Sequence, residues 1–163
     1  MLQEVVLLRH AHAVYPSGWQ ADAQRPLSKI GRDEAFAAGN WLRENCTAPD
    51  VVLCSTALRT RETLVQLARA GCVLPAPEFE PRIYEAALGD LLEVIEIRMR
   101  AKRQPTRLWL IGHNPGLEQM LFHLDAAAHL HAMPPAGIAH LTFDHRQPPT
   151  DPGAATIAAV WTP

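Results

Sequence analysis

Apolar residues fall into two kinds of pattern along the chain. Unbroken short runs, Val5-Val6-Leu7-Leu8, Val51-Val52-Leu53-Cys54 and Leu108-Trp109-Leu110-Ile111, have no polar face. They read as strands buried on both sides. Between them the apolar positions recur at helical spacing. Ala35, Ala38, Trp41 and Leu42 predict a helix from about Ser28 to Asn45, with Ser28 as its N-cap. Leu58, Leu64, Val65 and Leu67 predict a second, from about Ala57 to Ala70, capped by Ser55 and ended by Gly71. Leu88, Leu91, Leu92, Ile95 and Met99 form the stripe of a third, with Asp90 and Glu93 as a box-like start and an end near Lys102. Asn114 as cap and Pro115 at the first helical position open a fourth, reaching about Leu124.

The chain closes on two alternating runs, Ile138 to Phe143 and Ala155 to Trp161, which predict an antiparallel pair at one edge of a sheet. Val73 to Gly89, with three prolines, reads as a loop holding one short edge strand at Glu78-Phe79-Glu80. Strands alternating with helices give an α/β fold. The expected form is a three-layer α/β/α sandwich whose central sheet is mostly parallel with an antiparallel edge. A length of 163 residues suits one domain, 1–163.

Composition narrows the function classes. With 48% hydrophobic and 20% charged residues and a net charge of −2, the chain is an ordinary globular sequence. No Lys/Arg block marks a nucleic-acid or anionic-membrane partner, and no apolar stretch approaches a membrane span. The N-terminus lacks the pattern of a signal peptide. Cys46, Cys54 and Cys72 have no C-x-x-C spacing, so reduced thiols in a cytoplasmic protein are expected.

Each buried run ends in polar chemistry: Arg9-His10, then Ser55 to Arg59, then Gly112-His113-Asn114. Parallel strands would bring these ends to one sheet edge, where α/β proteins bind ligands. Two arginines, two histidines and two helix N-termini all suit an anion, and point to a phosphate. Gly112 and Gly116 would let the backbone approach it. A neutral imidazole is also a nucleophile toward phosphorus, and neighbouring arginines would hold its pKa down. No cofactor and no metal is needed. His10 with His12, or His129 with His131, could in principle ligate a metal, but no carboxylate–histidine spacing supports a site. His123, His140 and His145 read as residues without chemistry. Trp41, Trp109 and Trp161 read as core, whereas Trp19 lies in the loop beside the pocket.

The ordered set Leu8-Arg9-His10, Arg25-Pro26-Leu27-Ser28, Ser55-x-x-x-Arg59 with Thr63, and Gly112-His113-Asn114-Pro115-Gly116 resembles the histidine phosphatase (phosphoglycerate-mutase-like) superfamily. The likeness is strongest to its short, SixA-type phosphohistidine phosphatase branch. The resemblance implies that His10 accepts the phosphoryl group and that Arg9, Arg59 and His113 complete its pocket. Arg25 would reach the same pocket, and Asn114 would orient the His113 turn. Glu85, in Tyr84-Glu85-Ala86, is the candidate general acid. Ala11 stands where the family usually has Gly, Ser55-Thr56 where Ser-Pro is common, and Glu62 where Gln is common.

The function expected is therefore a phosphatase acting through phospho-His10, with a phosphohistidine protein as substrate. A small-molecule phosphomonoesterase is the alternative. A non-catalytic phosphate-binding module is the third reading, although such a module would be expected to have lost Arg9, His10 or His113.

Overall fold

The computed structural model describes residues Met1–Pro163. The apolar runs form a six-stranded sheet in the order β3-β2-β4-β1-β5-β6. Its strands are β1 (Glu4–Arg9), β2 (Val51–Cys54), β3 (Glu78–Phe79), β4 (Arg107–Gly112), β5 (Ile138–Phe143) and β6 (Ala155–Trp161). β3, β2, β4 and β1 run parallel; β5 pairs antiparallel with β1, and β6 antiparallel with β5. The expected α/β sandwich is present. β5 and β6 form the expected antiparallel pair at one edge of the sheet, with β6 outermost.

Side chains alternate across a strand, so β1 feeds two cores. Val5 and Leu7 pack with Leu91, Val94 and Ile95 of α3 (Leu88–Met99) and with Leu117, Met120 and Leu121 of α4 (Gly116–Leu124). Val6 and Leu8 pack on the other face with Ala35, Ala38 and Leu42 of α1 (Lys29–Asn45) and with Leu64 and Leu67 of α2 (Leu58–Arg69). The near-continuous apolar composition of β1, β2 and β4 follows from this covering on both sides.

The helix ends show local corrections. Ser28 caps α1 as expected, accepting from the Gly31 N–H at 3.0 Å. Ala57, not Ser55, is the N-cap of α2, and Ser55 Oγ instead accepts from the Ala57 N–H. α3 begins earlier than Asp90, whose carboxylate reaches back to the Ala87 N–H at 2.8 Å. α4 is preceded by a cis Asn114–Pro115 bond and begins at Gly116.

Register fixes where the strands stop. Arg9 pairs with Gly112 and Cys54 with Ile111. The ladder runs one step further, with the His10 N–H on the Gly112 carbonyl and the Ser55 N–H on the Ile111 carbonyl, both at 3.0 Å. His10, Ser55 and His113 therefore leave the sheet at one edge. No helix is long and apolar enough to cross a membrane.

Candidate active site

At that edge the imidazoles of His10 and His113 lie side by side, ring centroids 5.2 Å apart. His10 Nδ1 is 2.7 Å from the Ala11 carbonyl oxygen. A carbonyl only accepts, so Nδ1 carries the proton and Nε2 keeps its lone pair. The Arg59 Nε–H points at that lone pair, 3.3 Å from Nε2. Arg59 comes from the first turn of α2 and is almost fully buried. Thr63, one turn on, donates to the Arg59 carbonyl at 2.8 Å and accepts from the Ala11 N–H at 3.1 Å. It thereby ties α2 to the turn after β1. Ala11 is itself fully buried in the α1/α2 core, where its methyl group is useful packing.

Burial pushes His10 down to about 4. The Ala11 carbonyl opposes this, while Arg59, Arg9 and Arg25 add to it. The arginines thus act in the expected direction, but desolvation is the larger cause. Burial, reinforced by His10 and Arg59, takes His113 down to about 3. Both rings are neutral at pH 7. His113 Nε2 shares a 2.7 Å hydrogen bond with Ser55 Oγ, which gives Ser55 a clear task at the end of β2.

Arg9 is held from the far side. Its Nη1 donates to the Met133 carbonyl at 3.0 Å, and Asn114 Nδ2 donates to the same oxygen at 2.9 Å. The Met133 N–H is in turn bound by Glu118 of α4 at 2.8 Å. Asn114 therefore orients the segment before β5 together with Arg9.

Two site residues escaped the sequence reading. Asp22 lies in a 3-10 turn, Asp22–Gln24, within the loop between β1 and α1. Its carboxylate takes Arg25 Nη1 at 3.0 Å, Arg59 Nη2 at 3.1 Å and the Tyr84 hydroxyl at 2.6 Å. Arg59 Nη1 also donates to the Asp22 carbonyl at 2.9 Å. The Tyr84 hydroxyl, followed by Arg25, holds the Asp22 carboxyl well below the usual carboxylate range, and Asp22 pushes Tyr84 up to about 12. The Tyr84 ring stands edge-on to His113, with centroids 5.6 Å apart. The signal for Asp22 was its i, i+3 spacing to Arg25.

Of the residues expected at the pocket, Arg9, His10, Arg25, Arg59, His113 and Asn114 come together. Glu85 does not join them. It is exposed, with φ 52°, and makes no hydrogen bond, while its neighbour Tyr84 turns inward. The glycines also serve a different end from the one expected. A Cβ at Gly112 would meet Ile83 Cγ2 at 3.0 Å, and one at Gly116 would strike the Ala86 carbonyl, so both make room for protein rather than for an anion. Trp19 is fully exposed and packs on nothing. His12 turns away from His10 toward Ser28 Oγ, at 2.8 Å.

A sequence model of the histidine phosphatase superfamily (branch 1) matches residues 5–121. The chain belongs to the histidine phosphatase superfamily. An uncharacterized Mycobacterium tuberculosis protein is 36% identical to this histidine phosphatase family member over 165 residues, covering 96% of this chain and 99% of the relative. A candidate phosphohistidine phosphatase, SixA, of Agrobacterium tumefaciens shares the fold at TM-score 0.84 with 24% identity, covering 100% of both chains. A protein histidine phosphatase SixA complexed with tungstate superposes at TM-score 0.80 with 21% identity, over 98% of this chain and 96% of the other. In fold, this superfamily member is SixA-like.

Proposed function

We propose that this chain is a phosphohydrolase that carries a transient phosphoryl group on His10, and that its substrate is a protein phosphohistidine. The observation that carries the reading is the His10 ring itself. Its Nδ1–H is engaged by the Ala11 carbonyl, and its Nε2 lone pair faces the Arg59 Nε–H at 3.3 Å. Nε2 is the nucleophile. As the P–Nε2 bond forms and the bond to the substrate breaks, positive charge on the ring is shared with the Ala11 carbonyl. Arg9, Arg59 and Arg25 oppose the negative charge on the phosphoryl oxygens, and His113 closes the pocket beside them. Positive charge from three guanidinium groups suffices for this step without a metal or other cofactor. Water then attacks phosphorus, His10 leaves as a neutral imidazole and phosphate is released.

Phosphohistidine suits the site because its leaving group is an imidazole. A protonated phosphoramidate expels neutral imidazole directly, so the exposed position of Glu85 costs this reaction nothing. The chain is also short of elements that could enclose the site. Between α2 and α3 the chain holds only β3 and a 3-10 turn, Pro81–Ile83, with no inserted domain there. A phosphorylated side chain on a protein could enter. The tungstate complex of the SixA relative is in keeping with a pocket for a tetrahedral oxyanion. The protein would act in the cytoplasm, as one domain over 1–163.

The test is a pulse of phosphohistidine protein stopped in alkali, which preserves phosphohistidine. Label on His10, lost in His10→Ala together with turnover, is the expected result. Unlabelled His10 with turnover intact in His10→Ala would overturn the mechanism. Label from small phosphate esters but not from phosphohistidine would overturn the substrate.

A further inference from the structure

The proposed reaction leaves Asp22 without a role, and its placement calls for one. A carboxylate at the mouth of an anion pocket is unfavourable for phosphate unless it does something else. Arg59 shows which way it faces. The inner edge of the guanidinium, Nε, meets His10, and the outer edge, Nη1 and Nη2, meets the Asp22 carbonyl and carboxylate. The Arg59 side chain is 7% exposed and that of Asp22 41%, so Asp22 lies on the solvent side of the pair. A group bonded to a phosphoryl at His10 Nε2 and reaching solvent along the Arg59 side would pass Asp22. A carboxylate accepts about four hydrogen bonds. Arg25, Arg59 and Tyr84 supply three donors, which leaves capacity on the open side.

We infer that Asp22 is a specificity-determining residue that selects substrates by the charge of the group carrying the phosphate: it accepts a hydrogen bond from a cationic carrier, a phosphoimidazolium ring, and repels an anionic one. The inference rests on the proposed phosphohydrolase reading and refines it. Three guanidinium groups against one carboxylate keep the pocket positive for the phosphoryl oxygens, while the rim turns negative where the leaving group sits. In the step proposed, the substrate phosphoimidazolium donates its free ring N–H to Asp22. The P–N bond to the substrate breaks as P–Nε2 of His10 forms. The electron pair of the broken bond returns to the substrate ring, which leaves as neutral imidazole with that N–H still in place. No proton crosses to or from Asp22, which stays ionised throughout. A carboxylated phosphate ester would instead set its own carboxylate against Asp22.

The experiment compares kcat/KM for a phosphohistidine peptide and for 3-phosphoglycerate in the wild type, Asp22→Asn, Asp22→Ser and Asp22→Glu. Both neutral variants are expected to lower the ratio of phosphohistidine to phosphoglycerate turnover at least tenfold, and Asp22→Glu to restore most of it. The second neutral variant guards against one that does not fold. Equal losses on both substrates would overturn the inference, since a residue that merely positions Arg59 and Arg25 would slow every phosphate alike. Absence of turnover and of phospho-His10 in the wild type would refute the underlying reading instead, and the two failures are therefore distinct.

Discussion

Ser55 and His113 offer a direct test of how the pocket is held. Ser55 is fully buried, and its hydroxyl serves two groups: His113 Nε2 at 2.7 Å and the Ala57 N–H at 3.3 Å, the latter at the start of α2. His113 is 8% exposed, and its other ring nitrogen, Nδ1, has no hydrogen-bond partner. Ser55→Ala would leave the ring with no partner at all. Stranding a buried polar group costs about 1–3 kcal/mol. Loss of the bond at the helix start adds about 1 kcal/mol. The sum is about 3 kcal/mol, and at roughly 2–4 °C per kcal/mol for a chain of this size the melting temperature should fall about 6–12 °C. A cycle of Ser55→Ala, His113→Ala and the double variant isolates the pair, and we expect a coupling of about 1–2 kcal/mol in urea unfolding. Additive effects, or a melting shift below about 2 °C, would show that the hydroxyl does not hold the ring.

Stability should also depend on pH through the two buried imidazoles. Their folded pKa values, about 4 and about 3, lie below the roughly 6.5 of an unfolded histidine. The unfolded chain therefore takes up protons first. Stability is whole above about pH 6.5 and drains away as pH falls toward 3, by roughly 3 kcal/mol for each ring at pH 4. Protonation of Asp22 extends the loss below that range, because its carboxyl is depressed in the fold. A urea midpoint that stays flat between pH 7 and 4.5 would contradict the burial of both rings. Glu118→Ala should release the Met133 segment and, with it, the brace on Arg9. The expected result is a several-fold rise in KM for the phosphorylated substrate with a stability loss of about 1 kcal/mol, and an unchanged KM would refute the brace. Gly31→Ala would drive a methyl group into the His12 carbonyl at the start of α1. Thermal unfolding should register a loss of about 2 kcal/mol or more, whereas a neutral result would mean that the β1–α1 loop shifts freely.

What the sequence disclosed, and what it hid, follows from the range of the forces involved. β1, β2 and β4 are legible because helices cover both faces of the sheet, which forces unbroken apolar runs. Their polar ends were legible for the same reason: Arg9-His10 and His113 stand where that covering stops. Asp22 was hidden because its one local cue, the i, i+3 spacing to Arg25, does not say where the loop that carries both lies. The loop that carries it is pinched shut by contacts distant in sequence, the Ala13–Leu27 bridge, the Val14 N–H on the Pro26 carbonyl and the Leu27 N–H on Glu62 at 2.6 Å. No periodicity records such bonds. Tyr84 and Glu85 differ by a single step of chain. The 3-10 turn at Pro81–Ile83 and the positive φ of Glu85 send the phenol inward and the carboxylate out. Nothing in a turn alternates as it does in a strand, so residue type alone favoured the carboxylate. The phenol won because Asp22, itself supplied by another loop, gave its hydroxyl a charged partner at 2.6 Å. Each residue that escaped the sequence reading is thus explained by the other, and the pair had to be found together or not at all.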